Sequence, residues 1–246
     1  MNAAMRRLRS SFTAPAGNRG KSGLFLLWPH AIDAEGEAAA EEASVGALSD
    51  FDLDRLITSY GCRSFVETGT GIGRGVEFAS RSGFDRIVSI EIVHKLALDV
   101  AIRFAKNHKV TIINAKSVRG LREALDEMPP EVPILFWLDA RFPGADYGLK
   151  SYDAERDETL RLPLESEIRT LAGLRDLRRD VFLINELRLY EDAAYEEGPA
   201  SPDRLPLPAN RHLRFVDEII GATHRIERFT RGAGHLCAYP LDRPSC

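Results

Sequence analysis

Glu67, four glycines at alternate positions (Gly69, Gly71, Gly73 and Gly75) and Glu91 are the residues of this chain whose types and spacing most directly suggest chemistry. Glycine has no Cβ, so a turn built from it can take positive φ and bring its backbone close to a ligand. A carboxylate accepts hydrogen bonds, and Glu91, 20 residues beyond Gly71, suits the two hydroxyls of a ribose. Together they predict a nucleoside site. The dinucleotide fingerprint G-x-G-x-x-G is not met, because Arg74 or Val76 falls where its third glycine belongs.

A second group follows later in the chain: Asp139 and Arg141 in WLDAR, then Asn185 and Glu186. Asp139 and Glu186 are the candidate catalytic residues, since either carboxylate serves as a base if a bound hydroxyl comes within hydrogen-bond reach. Arg141 presents a planar fork able to clamp an anionic group. No histidine stands in a metal pattern such as H-E-x-x-H, and His94, close to the strand end at Glu91, is the histidine to test.

These residues need elements that bring them to one edge. Apolar runs predict strands at Ser64 to Val66, Arg86 to Ile90, Val110 to Ile113, Val132 to Leu138 and Val181 to Ile184, each ending near a polar residue. Helices are expected between them: one capped by Ser49 and stopped by Gly61, one over His94 to Lys106 with Leu98, Ala101, Ile102 and Ala105 inward, and one capped by Ser117. A further helix opens at Pro163, with Glu165 and Glu167 at its positive end. Asn210 is expected to cap a last helix, Arg211 to Ile220, before a hairpin of Arg225 to Thr230 and His235 to Tyr239. Such alternation implies an α/β fold with a mostly parallel sheet and helices on both faces. Two long stretches, Arg141 to Leu162 and Tyr190 to Ala209, leave the sheet where its ligand edge must lie, and their tyrosines and glycines suit mobile covers.

The E-x-G-x-G-x-G turn with its distant acid resembles the first motif of class I S-adenosylmethionine-dependent methyltransferases. That resemblance implies a Rossmann-like α/β/α sandwich with a seven-stranded sheet of order 3-2-1-4-5-7-6. It further implies S-adenosyl-L-methionine as cofactor, held by Glu67, Gly69, Thr70, Gly71, Gly73, Glu91, Ile92, Ser117 and Asp139. Asp139 with Asn185 and Glu186 is similar to the ligand set of metal-dependent O-methyltransferases, and such oxygen atoms suit Mg²⁺. Arg141 stands where those enzymes carry a second acid and would repel an added cation, so no metal ligand is assigned. The implied activity is methyl transfer to a small-molecule acceptor, at oxygen. The competing expectation is a methyltransferase-like binding or interaction module without turnover.

Composition narrows the rest. The 27.4 kDa chain of 246 residues, 44% hydrophobic, supplies one core of ordinary size. A net charge of −4 and a pI near 5.9 give no overall attraction to phosphate backbones, so nucleic acid is not the expected partner. The N/D-P-P-Y motif of enzymes methylating amino nitrogens is absent after Leu138. Three cysteines without C-x-x-C spacing predict a reduced, cytoplasmic chain, and no apolar run is long enough for a membrane span. Residues 1–45 read as a loosely structured basic arm preceding a domain over 46–246. Gly20-Lys21-Ser22 mimics the tail of a phosphate-binding loop but lacks its first glycine and a preceding buried strand.

Overall fold

The computed structural model describes residues 48–242, so the arm expected over 1–45, the Gly20-Lys21-Ser22 stretch and Cys246 lie outside the described residues. Seven strands form one sheet of order β3-β2-β1-β4-β5-β7-β6. They are β1 (Ser64–Thr68), β2 (Arg86–Glu91), β3 (Val110–Asn114), β4 (Ile134–Leu138), β5 (Val181–Asn185), β6 (His224–Phe229) and β7 (His235–Pro240). The first five run parallel, and β7 enters antiparallel between β5 and β6. This is the expected order, with the closing hairpin where the sequence placed it.

The central strands are buried from end to end, as strands covered on both faces must be. Alternate side chains feed two cores. On one face Val66, Phe136 and Phe182 pack with α4 (Ser117–Leu125), α6 (Leu164–Leu174) and α7 (Arg214–Ile220), and the Phe136 and Phe182 rings stack at 5.2 Å. On the other, Phe65, Leu135 and Cys237 pack with α1 (Leu53–Tyr60), α2 (Arg74–Ser80) and α3 (His94–Arg103). Burying these faces at about 25 cal/mol per Å² of apolar surface is the dominant stabilising term.

Several boundaries differ from expectation for local reasons. Ser49 falls in a 3-10 turn, Leu48–Asp50, and Asp52 caps α1 instead, its carboxylate accepting from Arg55 N at 2.9 Å. Gly61 ends α1 at φ 69°, as expected. Helix α3 stops at Arg103 and buries Leu96, Ala97 and Val100, while Ile102 is 66% exposed. Its apolar residues fit two phases of the helical period, and the sheet selected the one that the sequence reading did not. Ser117 is the first residue of α4 and not its cap, which is Lys116. The last helix begins at Arg214, because Pro208 starts a separate 3-10 turn, Pro208–Asn210, that takes Asn210 from the capping role. Glu167, expected at the solvated start of α6, is 1% exposed.

Candidate active site at the carboxyl edge of the sheet

The ends of β1, β2, β4 and β5 open into a cavity of about 810 Å³, within the ~300–1,000 Å³ usual for small-molecule sites. On one side lies the glycine turn. Gly69, at φ 83°, passes so close to the end of β4 that a Cβ there would lie 2.8 Å from the Asp139 carbonyl. Gly71 N donates to Glu91 Oε2 and Val93 N to Glu91 Oε1, both at 2.8 Å. Glu91 is therefore fixed at the cavity edge by the backbone of Gly71 and Val93, with Ile92 N as a further donor beside its carboxylate. Burial raises its pKa, and the backbone donors pull the other way.

Glu67, Thr70, Ile92 and Ser117 also border the cavity. The Thr70 and Ser89 hydroxyls are 2.6 Å apart, and Ser89 donates to Glu67. Ser89 went unmarked in the sequence because a strand serine gives no local sign of such a role. Glu67 is wholly enclosed, and burial pushes its carboxyl up to about 8. Gly75 has no Cβ because that space belongs to the Glu67 carboxyl. Gly73 departs from expectation: it does not border the cavity, and the space beside its Cα is filled by Val100 and the Arg103 guanidinium. Its glycine is required by φ 83° and by packing. His94 also stands apart, with its Nδ1 2.9 Å from Asn114 Oδ1.

On the other side Arg141 organises the acids. Its guanidinium bonds Asp139, lies 3.4 Å from Asp146 and 3.7 Å from Glu186. Asn185 Nδ2 donates to Asp139 Oδ1 at 2.9 Å. Burial lifts the Asp139 carboxyl to about 6, with Arg141 and Asn185 opposing. Burial acts upward on Glu186 too, but Arg141, Arg204 and Arg188 outweigh it and hold its pKa below the usual range. Arg188, in the 3-10 turn Leu187–Leu189, and Arg204 each reach Glu186 Oε1 at 3.2 Å; neither stands out in the sequence, since both are far along the chain from Asp139. A divalent ion placed on Asp139 would meet the Arg141 guanidinium, so this donor set does not fit the metal-dependent pattern. Among the described residues no group of three or more His, Cys, Asp and Glu side chains is arranged to hold a metal ion.

The two long stretches cover this edge and hold each other. Residues 141–162 fold into a 3-10 turn, Ala145–Tyr147, and a short helix α5, Glu158–Arg161. Arg161 Nη1 crosses to the Leu205 carbonyl at 3.0 Å, and Arg204 lies over the Phe142 and Tyr152 rings at 5.4 and 5.1 Å. Tyr147 reaches the opposite wall, its hydroxyl filling the space where Gly71 lacks a Cβ.

No family model and no curated protein sequence matches the chain. Solved structures do. The O-methyltransferase from Bacillus cereus, in complex with SAH, aligns with a TM-score of 0.52 at 15% identity over 88% of this chain and 93% of its own. A Staphylococcus aureus protein provisionally assigned as a caffeoyl-CoA O-methyltransferase gives 0.52 at 14%, over 86% and 92%. One from Klebsiella pneumoniae, provisionally assigned as an O-methyltransferase, gives 0.50 at 14%, over 88% and 93%. With its strand order, this likeness establishes that the chain has the Rossmann-like fold of the class I methyltransferases.

Proposed function

We propose that the protein is an S-adenosyl-L-methionine-dependent methyltransferase acting on a small-molecule acceptor at oxygen. The observation that carries this is the Glu91 carboxylate, held by Gly71 and Val93 at the cavity edge beside the glycine turn, where it can accept from a ribose. Ile92 and Ser117 would flank the adenine, while Glu67, Gly69, Thr70 and Asp139 would surround the methionine end. When bound, the cofactor supplies an electrophilic methyl group. The chain's part is to align the acceptor, exclude water and receive a proton. A cavity bordered by two interlocked stretches supports a small acceptor over a polymer. The likeness to the B. cereus O-methyltransferase and to the S. aureus protein assigned as one supports oxygen as the accepting atom.

Calorimetry with S-adenosylmethionine and its demethylated product tests this. Binding of either is expected, and Glu91→Ala should weaken it by about 1.5–3 kcal/mol, the value of charged hydrogen bonds. Binding of NAD in their place would overturn the reading. A second expectation concerns the cover: hydrogen exchange in 141–162 and 190–209 should slow when the demethylated product is added. Unchanged exchange in both stretches would refute a lid.

One observation favours a non-catalytic binding module instead. Asp139 and Glu186, the obvious bases, are both occupied by arginine. Labelled methyl transfer to any component of a cell extract decides against that alternative.

A further inference from the structure

The row of polar side chains at the ligand edge does not stop at Asn185. In the antiparallel ladder Asn185 stands opposite His235, and paired residues project from the same face of a sheet. Asp139, the residue after β4, is bonded by Asn185 of β5, which in turn stands opposite His235 of β7. His235 is 4% exposed and borders the cavity, and its two ring nitrogens, both shielded from solvent, make no hydrogen bond. The other buried histidine of the sheet, His224, shows the contrast: its Nε2 is 2.8 Å from the Asp180 carbonyl and its Nδ1 2.9 Å from Thr223 Oγ1. A buried imidazole without such partners costs stability, and a binding edge is where that cost is tolerated.

The surroundings of His235 suit proton transfer. Asp50 Oδ2 is 3.8 Å from Nε2, too long for a hydrogen bond but close enough to favour a proton on that nitrogen. Arg231 lies 3.5 Å from the other Asp50 oxygen, and the Phe51 ring meets the imidazole edge-on at 5.6 Å. Burial lowers the His235 pKa, Asp50 and Glu186 oppose this, and Arg231 adds to it, so the ring is neutral at pH 7. Trp137, whose ring also meets Phe51, and Phe78 and Leu48 are among the apolar residues that line the cavity.

We propose that His235, oriented by Asp50, is the base that takes the acceptor's proton, and that the acceptor is accordingly a hydroxyl-bearing small molecule that reaches across Asn185 toward β7. This rests on the methyltransferase reading. As the acceptor's O–H bond breaks, the proton passes to Nδ1. The oxygen's electron pair forms the new bond to the methyl carbon of S-adenosylmethionine, and the carbon–sulfur bond breaks with its electrons left on a neutral thioether. The imidazolium is stabilised by Asp50 and later yields its proton to water.

The test has two arms. In the first, nitrogen-15 resonances of His235 are followed against pH in the full chain. The Nε2–H tautomer is expected, neutral to below the usual histidine range, and Asp50→Asn should lower the midpoint further. A proton resting on Nδ1, or no response to Asp50→Asn, overturns the dyad. In the second, His235→Asn should bind S-adenosylmethionine within about twofold of the parent while losing about 100-fold or more in labelled methyl transfer to the dialysable fraction of a cell extract at pH 7. Activity should return as pH rises and the acceptor ionises unaided. Parent-like transfer with an unshifted pH profile overturns the proposal. A parent that binds no S-adenosylmethionine overturns the methyltransferase reading and the base together, an outcome distinct from a variant that binds and transfers like its parent.

Discussion

Arg141→Ala is expected to destabilise the protein by about 3–5 kcal/mol, the cost of leaving buried charge without its partner. The Arg141 side chain is 13% exposed, and its guanidinium sits among Asp139, Asp146 and Glu186, whose side chains are 20%, 20% and 6% exposed. Removing it leaves like charges facing one another at a largely buried edge of the cavity. Arg188 and Arg204 remain on Glu186, which places the loss nearer the lower figure. Urea midpoints measure it. Adding Asp146→Asn and Glu186→Gln to the variant should recover part of the loss, because the repulsion goes with the charges. The same variant should acquire a response to divalent ions: millimolar Mg²⁺ or Ca²⁺ should raise its melting temperature while leaving the parent's unchanged, since oxygen donors freed of the guanidinium suit such ions. A loss below about 1 kcal/mol, the value of an exposed ion pair, would mean that the guanidinium does not hold this site together.

The second large effect is a fall in stability as pH rises through neutrality. Burial pushes Glu67 up to about 8 and Glu167 to about 7, from a usual 4.5, and Asp139 to about 6 from 3.8. Glu167 has Thr68 and Ser117 beside it, but neither reaches hydrogen-bond geometry with its carboxyl oxygens. Between pH 4.5 and 8 the folded chain keeps protons that the unfolded chain has released, so raising the pH favours unfolding. At about 1.4 kcal/mol per pKa unit, Glu67 alone accounts for on the order of 3 kcal/mol between pH 5 and 8. Acids of the opposite kind, such as Asp176 held at about 2 by Arg178, lose their contribution only in stronger acid. Maximum stability is therefore expected near pH 5. Glu67→Gln keeps the shape and removes the titration, so its urea midpoint should change much less across that range than the parent's. Equal pH dependence in both proteins would show that Glu67 is not the group responsible.

How much of this was legible in the sequence depended on whether a residue's role is local. The glycine turn and Glu91 are linked through adjacent strands, so their spacing carries the geometry; alternation indicated a mostly parallel sheet, while the strand order came from the resemblance to class I methyltransferases. Helix α3 was read in the wrong phase because leucine, isoleucine and alanine populate both candidate faces, and only the sheet discriminates between them. Glu167 looked like an acid completing a helix N-terminus, since nothing nearby in sequence announces that α6 is pressed against Thr68 and Ser117. Arg141 was recognised as incompatible with a cation, but its attachment to Asp146 and Glu186 needed the loop's path. His235 was invisible for a stronger reason: its partner, Asp50, lies at the far end of the described chain.

Arg161 and Arg204 carry a consequence for how the protein opens. Each belongs to one covering stretch and bonds or stacks on the other, so neither stretch can peel away without exposing buried guanidinium groups and the Phe142 and Tyr152 rings. Segments coupled in this way unfold locally as one cooperative unit with a shared free energy. A protease that nicks 190–209 should therefore render 141–162 susceptible too, and the two cleavages should share a single dependence on denaturant.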